Sequence, residues 1–209
     1  MPHVRPEPRP PVSFAGTLLD PHRHVCAFVH NAAEAYKVLD PLVLDGIAQG
    51  ETLSYIVDPD RRIDHVRHFR KLGLDMPRLL TAGRFEIRTW AETHLAGGTF
   101  DQDAMLRFAD DMMRDRPYPR MRMVSVMGWA EQLDDLTELV EYEARANDIV
   151  ARYQHVVICV YDLTRFGGEV VIDALRTHPL VLIGGSRQVN PYFVPPAQLL
   201  GELRAQGRR

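Results

Sequence analysis

HVVICVYD, residues 155–162, decides the fold, because this run is apolar along nearly its whole length and rich in β-branched side chains. Such a run predicts a strand that is buried on both faces, as in the parallel sheet of an α/β protein. It ends in Asp162, at the carboxyl end of the strand, where open α/β sheets place their ligands. A second apolar run, HVCAFV at His24–Val29, has the same character. We therefore predict that the two strands are neighbours at the centre of one sheet.

Helices and strands are predicted to alternate along the rest of the chain. The other strands are expected at residues 52–57, 84–89, 121–127 and 180–183, and the helices at 32–48, 62–72, 102–114, 134–153, 169–176 and 197–205. Alternation of this kind is typical of an α/β fold, with an open, mostly parallel sheet and helices on both faces. Pro41 lies inside the first helix, where a proline predicts a kink or a division into two helices.

The size and composition of the chain favour a single domain. Its 209 residues, 45% of them hydrophobic, can bury one sizeable core, which we expect over residues 19–209. Residues 1–18 are rich in proline and offer little to bury, which predicts a flexible leader.

Charge and apolar patterning indicate where the protein acts. The formal net charge is −3, so no basic field favours direct binding to nucleic acid or to an anionic membrane. No apolar run approaches the roughly 18–20 residues that span a bilayer, and the first residues lack the apolar region of a signal peptide. We therefore expect a cytoplasmic protein. Cys26 and Cys159 both fall inside predicted buried strands, and in a reducing compartment such cysteines are usually free thiols of the core.

The turn after the first central strand lacks the features of a nucleotide site. A phosphate-binding loop needs glycines that let backbone N–H groups surround the phosphates. Here the turn reads HNAAE at residues 30–34, without a glycine, and Glu34 would repel phosphate near the start of the helix. The chain also shows no recognised nucleophile–base set, so we expect no enzymatic activity.

Several short motifs, taken in order, resemble the MEDS family of sensory domains, named from methanogen, methylotroph and dichloromethane-regulator proteins. The matching segments are HVCAFVHNAAE (24–34), LDGIAQGETLSYIVDP (44–59), GGTFDQDAML (97–106), MGWAEQ (127–132), LVEYEARAN (139–147), VVICVYDLTRF (156–166) and THPLVLIGG (177–185). Together they span about residues 20–196. The resemblance implies a RecA-like core without a phosphate loop and a role in sensing small organic molecules.

The resemblance also implies how such a domain signals. In larger relatives it is fused to histidine-kinase-like ATPase, PAS or DNA-binding modules, and we expect none of these here. We therefore expect a non-catalytic sensor that binds a small organic, hydrocarbon-derived molecule. Its output would pass through a separate kinase-like or DNA-binding protein, or through a change of homo-oligomeric state. The sequence names no cofactor.

Eight residues are candidates for contacts with such a ligand, because they lie in or just past predicted strands or on the buried face of the long helix. They are His24, Cys26, Phe28, Trp129, Glu143, Tyr161, Asp162 and Arg165. Phe28 and Trp129 would supply apolar walls, and the others polar anchors. Tyr161, Asp162 and Arg165 form the preferred group. A purely structural role is the alternative for each residue.

His24 and Cys26 are two residues apart, so their side chains are predicted to point to the same side of the sheet. If their strand lies beside that of Cys159, one imidazole and two thiols converge, with Asp162 or His178 as a further group. Thiolate and imidazole suit zinc or a soft metal, which gives a second hypothesis: a metal- or thiol-based redox sensor using His24, Cys26 and Cys159. The alternative is that these three residues only pack in the core, and in that case we expect no metal.

Glu143 lies on the predicted buried stripe of the long helix, where a carboxylate costs several kcal/mol unless it is paired. Its partner is expected among Arg122, Arg145, Tyr161 and His178. His178 begins the last strand whereas Tyr161 ends a neighbouring one, so these two are expected at opposite ends of the sheet. Glu51 and Asp58 are expected to close turns.

Overall fold

In a computed structural model, which describes residues 11–114, 120–153, 155–205 and 207, the main feature is a seven-stranded sheet. A separate hairpin of β1 (Ser13–Phe14) and β2 (Thr17–Leu18) precedes it. The sheet strands are β3 (His24–Val29), β4 (Thr52–Val57), β5 (Phe85–Thr89), β6 (Met121–Val126), β7 (Val156–Asp162), β8 (Leu180–Ile183) and β9 (Ser186–Val189). Their order is β5-β4-β6-β7-β3-β8-β9, and β9 alone pairs antiparallel within it. The mostly parallel sheet predicted from the sequence is confirmed.

The two most apolar strands are neighbours at the centre, as predicted. All six residues of β3 are buried, as are the first six of β7. In the parallel register Cys26 lies beside Cys159, and Val29 lies beside Asp162. A strand without polar alternation has to be covered on both faces, since either face left in water would expose valine or phenylalanine side chains.

Helices cover both faces of the sheet. One set is α1 (Ala32–Ala48), α2 (Arg62–Lys71) and α3 (Met76–Thr81), and the opposite set is α4 (Gln102–Arg114), α5 (Thr137–Tyr153) and α6 (Gly168–Thr177). Alternate residues of β3 enter the two cores: Val25 and Ala27 pack with the first set, and Cys26 and Phe28 with the second. A last helix, α7 (Pro196–Ala205), packs against α5. Among the described residues, no helix combines the length and apolar character needed to cross a membrane.

Local features explain why some predicted helices, strands and turns are confirmed and others are wrong or were missed. Pro41 lies within one uninterrupted helix, so the expected division of α1 is wrong. The residue is exposed, and water can satisfy the one carbonyl that loses its partner. Asp58 closes its turn as predicted, accepting the Asp60 backbone N–H at 3.0 Å. Sequence periodicity does not predict α3 or β9, because six-residue helices and short exposed strands carry little of it.

The expected flexible leader, residues 1–18, lies only partly within the described residues, which begin at residue 11. From there the chain is packed, contrary to the expectation. The β1–β2 hairpin turns through Ala15 and Gly16, both with left-handed φ. Val12, Phe14 and Leu19 are buried in the core on the α1 side. Two apolar side chains of the expected leader, Val12 and Phe14, therefore anchor its last residues in the core, and Leu19 follows immediately after it.

Glu51 is not a turn-closing residue but the centre of a buried ionic group. Its carboxylate lies 3.1 Å from Arg120 Nη1 and 2.5 Å from Arg122 Nε, and all three side chains are buried. Arg122 also donates to the Leu42 carbonyl oxygen at 2.7 Å and lies 2.7 Å from an Asp45 carboxylate oxygen. These contacts tie the second half of α1 to the amino ends of β4 and β6.

Replacing Glu51 by glutamine tests this ionic group. Glu51→Gln should lower the free energy of unfolding by about 3–5 kcal/mol, because two buried guanidinium groups lose their carboxylate. Urea denaturation measures the change. Asp111→Asn is the control, since it breaks an exposed ion pair with Arg114 at 3.3 Å, and it should cost no more than about 1 kcal/mol. Equal effects of the two changes would contradict the assignment.

Candidate functional site

Four side chains of unlike chemistry meet inside the core on the α5 side of the sheet. His24 begins β3, Cys159 lies midway along β7, Glu143 projects from α5, and His178 immediately follows α6. All four are buried, and each offers a ligand atom within 4.8 Å of the other three. We call this set the buried His–Glu–Cys cluster. Its residues come from four separate segments, so the fold assembles it rather than any local motif.

The Glu143 carboxylate is the centre of the cluster. Its Oε2 lies 3.3 Å from His24 Nε2 and 3.5 Å from His178 Nε2, while Oε1 accepts a hydrogen bond from the Tyr161 hydroxyl at 3.1 Å. Cys159 Sγ is 3.8 Å from Oε2 and 3.5 Å from His24 Nε2. The prediction that Glu143 is buried, faces the sheet and has a hydroxyl partner is confirmed.

Hydrogen bonds behind the cluster fix both imidazole rings. The Asn147 amide nitrogen donates to the carbonyl oxygens of Glu143 and Thr177, so its Oδ1 is free to accept. This Oδ1 lies 3.1 Å from His24 Nδ1, which must therefore carry the proton. His178 Nδ1 lies 2.8 Å from the Ala174 carbonyl oxygen, which can only accept, and so carries its proton too. In the neutral rings, both Nε2 lone pairs then point toward Glu143.

Burial and charge act in opposite directions on the carboxylate. Burial alone would raise the Glu143 pKa, but His178, His24 and the Tyr161 hydroxyl outweigh it and lower the pKa to about 2. Burial lowers the pKa of His178 to about 3. The same burial raises the pKa of the Cys159 thiol, and the Glu143 charge adds to this shift. Glu143 therefore stays ionised, whereas burial favours the neutral forms of His178 and Cys159.

The predicted metal set of His24, Cys26 and Cys159 differs from the one assembled. Cys26 points to the same side as His24, but its thiol faces the Leu180 carbonyl oxygen at 3.6 Å, and Glu143 and His178 take its place in the cluster. Both cysteines are buried free thiols. Burial raises the pKa of Cys26 as well, which disfavours the thiolate that redox chemistry requires.

Tyr161 and His178 lie at opposite ends of their strands, as expected, but their side chains meet in one cluster. Their rings lie 6.1 Å apart in an edge-on arrangement. Their backbones are separated along the strands, but both side chains reach Glu143, which α5 holds over the middle of the sheet. Phe28 packs 5.8 Å from Tyr161 in the same core.

A second site is an open cleft of about 350 Å³ at the carboxyl ends of the central strands. We call it the carboxyl-edge cleft. Its floor is apolar and includes Val124, Val126 and Val160, and α1 forms one wall. Its rim is polar and consists of His30, Asn31, Tyr36, Asp58, Arg61, His65, Asp162, Thr164 and Arg165. Of the eight candidate residues, Asp162 and Arg165 lie here.

Polar contacts hold the rim of the cleft in place. The Tyr36 hydroxyl lies 3.0 Å from His65 Nδ1. Burial, together with the nearby Arg61 and His68, lowers the pKa of His65 to about 4. Asp162 accepts hydrogen bonds from the backbone N–H and the hydroxyl of Thr164, at 2.9 and 2.7 Å. The rim therefore includes a neutral imidazole, His65, and a carboxylate, Asp162, that uses one oxygen for these two hydrogen bonds.

Trp129 lies in neither site. Its side chain is completely buried and stacks 4.4 Å from His94 and 4.6 Å from Phe100, so it belongs to the core. Tyr36 and His65 were not among the predicted site residues. Both lie on helices that read as ordinary amphipathic segments, and only the packing of α1 against α2 shows that they face the cleft.

Comparisons with known proteins agree on the fold and on a family. A family model described as MEDS, the methanogen/methylotroph, DcmR sensory domain, matches residues 23–179, a range that includes the whole buried cluster. The transcriptional repressor DcmR of Methylorubrum extorquens is 23% identical over 169 residues, covering 78% of this chain; this chain spans only 61% of that repressor.

A solved structure also matches. The KaiC-like protein of Pyrococcus horikoshii superposes with a TM-score of 0.56 at 17% identity, over 76% of this chain and 70% of that chain. At this identity the likeness concerns the fold alone, and it confirms the RecA-like architecture expected from the sequence.

Glu143→Gln tests the role of the central carboxylate. The change should lower the free energy of unfolding by a few kcal/mol, because the buried Tyr161 hydroxyl loses its charged acceptor and an amide is left among groups arranged around a carboxylate. Urea denaturation measures it. Glu138→Gln, on the exposed face of the same helix, is the matched control and should change stability by less than about 0.5 kcal/mol. A Glu143→Gln protein as stable as the control would show that the carboxylate holds nothing in place.

His65 predicts a pH dependence of stability. The folded pKa of about 4 lies below the usual 6.5, so between these values the unfolded chain binds a proton that the folded chain does not. The free energy of unfolding should therefore fall on acidification from pH 6.5 toward 4, with His65 contributing at most about 1.4 kcal/mol per pH unit. His65→Gln should flatten this slope.

Tyr36→Phe is the control for that measurement. It removes the hydroxyl beside His65 Nδ1 but keeps the imidazole in its buried position. The acid slope should remain in this variant. An unchanged slope in His65→Gln would contradict the assignment.

Proposed function

The chain belongs to the MEDS family of sensory domains, and from this we propose that it is a sensor that binds a small organic molecule in the carboxyl-edge cleft. The observation that carries the proposal is the cleft itself, an apolar floor with a polar rim. Its volume of about 350 Å³ is in the range of pockets that enclose small ligands. Ligands of open α/β sheets bind at this edge, outside the carboxyl ends of the strands.

The start of α1 supports an organic ligand over a nucleotide. The Asn31 side chain accepts the Glu34 backbone N–H at 3.0 Å and so caps the helix. The Glu34 carboxylate accepts the His30 backbone N–H at 2.8 Å. N–H groups that would surround a phosphate are thus already bonded, and a carboxylate stands where the phosphate charge would lie. We propose a non-catalytic role on this basis.

Arg165 offers a route from the cleft to the rest of the domain. Its guanidinium lies 3.8 Å from the Asp58 carboxylate at the rim and is also paired with Glu131. It stacks 5.6 Å over the Trp90 ring. A ligand that competes for Asp58 or Arg165 would bias how these segments pack, and binding alters a population only through such differences between states. We propose that the change is read by a separate signalling protein or by a second copy of the chain.

Filling the cleft tests the proposal. Native mass spectrometry of the purified protein first shows whether a small molecule is retained. A panel of short-chain alcohols, aldehydes, carboxylates and haloalkanes is then screened by the shift in melting temperature. A compound present at about one hundred times its Kd should stabilise the protein by about 2.7 kcal/mol. Ala35→Trp, which places an indole in the cleft wall, should abolish that shift.

The matched control is Ala48→Trp, at an exposed position of the same helix. It should retain the full shift, since it adds the same side chain outside the cleft. Stabilisation that survives Ala35→Trp would place the ligand elsewhere. If no compound in the panel stabilises the wild-type protein and none is retained on purification, the proposed ligand class is wrong.

A further inference from the structure

The buried His–Glu–Cys cluster contains an electrostatic conflict. When both rings are neutral, their Nδ1 atoms carry the proton, and the Nε2 lone pairs of His24 and His178 face the same carboxylate oxygen of Glu143 at 3.3 and 3.5 Å. His178 Nε2 is buried and makes no hydrogen bond within the described part of the chain. Lone pairs directed at an anion repel it, and a fully buried acceptor without a donor is costly. A cation among these atoms would remove both problems.

The distances between the atoms match a tetrahedral metal site. Zinc bonds of about 2.0–2.1 Å to nitrogen and oxygen and about 2.3 Å to sulfur separate N and O ligands by about 3.3 Å, and sulfur from either by about 3.6 Å. Four of the six separations in the cluster are close to these values: N–O separations of 3.3 and 3.5 Å, an S–N separation of 3.5 Å and an S–O separation of 3.8 Å. The other two, from His178 Nε2 to His24 Nε2 and to Cys159 Sγ, are within 4.8 Å. An internal cavity of about 20 Å³ borders three of the four ligands, His24, Glu143 and Cys159.

We propose that His24, Glu143, Cys159 and His178 bind one divalent transition-metal ion, with zinc as the best match. Two imidazoles, one thiolate and one carboxylate are the donor types that zinc takes in proteins. The thiolate and carboxylate together balance the charge of the ion, so the occupied site is neutral in a core that tolerates no net charge. Binding requires that the Cys159 thiol lose its proton to solvent, and a coordinating ion drives that loss.

The surrounding hydrogen bonds are those of a metal site. Ligand histidines donate their second ring N–H to a carbonyl or carboxylate, which fixes the ring. Here His24 Nδ1 bonds to Asn147 Oδ1 at 3.1 Å, and His178 Nδ1 bonds to the Ala174 carbonyl oxygen at 2.8 Å. The Tyr161 hydroxyl holds the non-coordinating Oε1 of Glu143 at 3.1 Å.

The site is closed and therefore structural. Four protein ligands complete a tetrahedron and leave no position for water or substrate. The ion would join β3, β7, α5 and the start of β8, so it would hold the long helix against the sheet. None of the four ligands lines the carboxyl-edge cleft, and the metal site is independent of the proposed organic ligand.

Cobalt substitution provides the test. Full-length protein is produced in cobalt-supplemented minimal medium and purified without metal affinity. Tetrahedral Co²⁺ with one thiolate should give intense visible d–d bands and a near-ultraviolet thiolate-to-cobalt charge-transfer band. Zinc-grown protein should contain about one zinc ion per chain by elemental analysis. His178→Gln should lower the metal content at least tenfold under dialysis.

Cys159→Ser and Cys26→Ser form the matched pair. Both thiols are buried on the same side of neighbouring strands, in register with each other. Cys159→Ser should abolish the charge-transfer band, while Cys26→Ser should retain it. If Cys159→Ser fails to fold, the cobalt spectrum and the zinc content of the wild-type protein still test the proposal. Folded wild-type protein without metal, a weak octahedral cobalt spectrum, or loss of the band in Cys26→Ser would each overturn the proposal.

Discussion

A single buried carboxylate constrains the whole arrangement of this domain. Glu143 sits in the core on a long helix, where an uncompensated charge would cost several kcal/mol. Groups from three other segments surround it: the Tyr161 hydroxyl of β7 donates to it, and the imidazoles of His24 from β3 and His178 before β8 lie against it. The helix therefore has one rotational setting and one height over the sheet at which the carboxylate is satisfied. Apolar packing alone would allow several rotational settings of the helix, because a stripe of leucine and valine fits neighbouring registers almost equally well.

The two candidate sites lie on opposite faces of the same strands, and strand alternation places them there. Tyr161 and Asp162 are consecutive, yet one reaches the buried cluster and the other the carboxyl-edge cleft. The pleat of β7 sends successive side chains to opposite faces. The end of β7 therefore contributes one residue to each site.

The sequence predicts the fold well because the fold depends on patterns that extend over many residues. The apolar runs of β3 and β7 require burial on both faces, and the neighbouring helices show regular spacing. What the sequence misses depends on single contacts. Glu51 is predicted to close a turn because nothing nearby shows that Arg120 and Arg122 will face it from β6 and the residue before it.

The candidate site was half predicted for the same reason. His24, Glu143 and Tyr161 were identified because polar residues stand out in apolar segments. Cys159 was expected in a set with Cys26, which lies outside the cluster, and His178 was named only as one of several possible partners, because side-chain direction at the end of a helix cannot be read from spacing.

The position of β3 between β7 and β8 has a consequence for how the chain is made. Its cluster residue His24 and the β7 residue Cys159 are 135 positions apart, and both partners of β3 come late in the sequence. As the chain leaves the ribosome, β3 exists for most of synthesis as an apolar strand with two open edges, which α1 can cover on one face only. Pairing that bridges so much intervening chain is slow. The order of the strands therefore means that the central strand can pair with its neighbours only after most of the chain has been made.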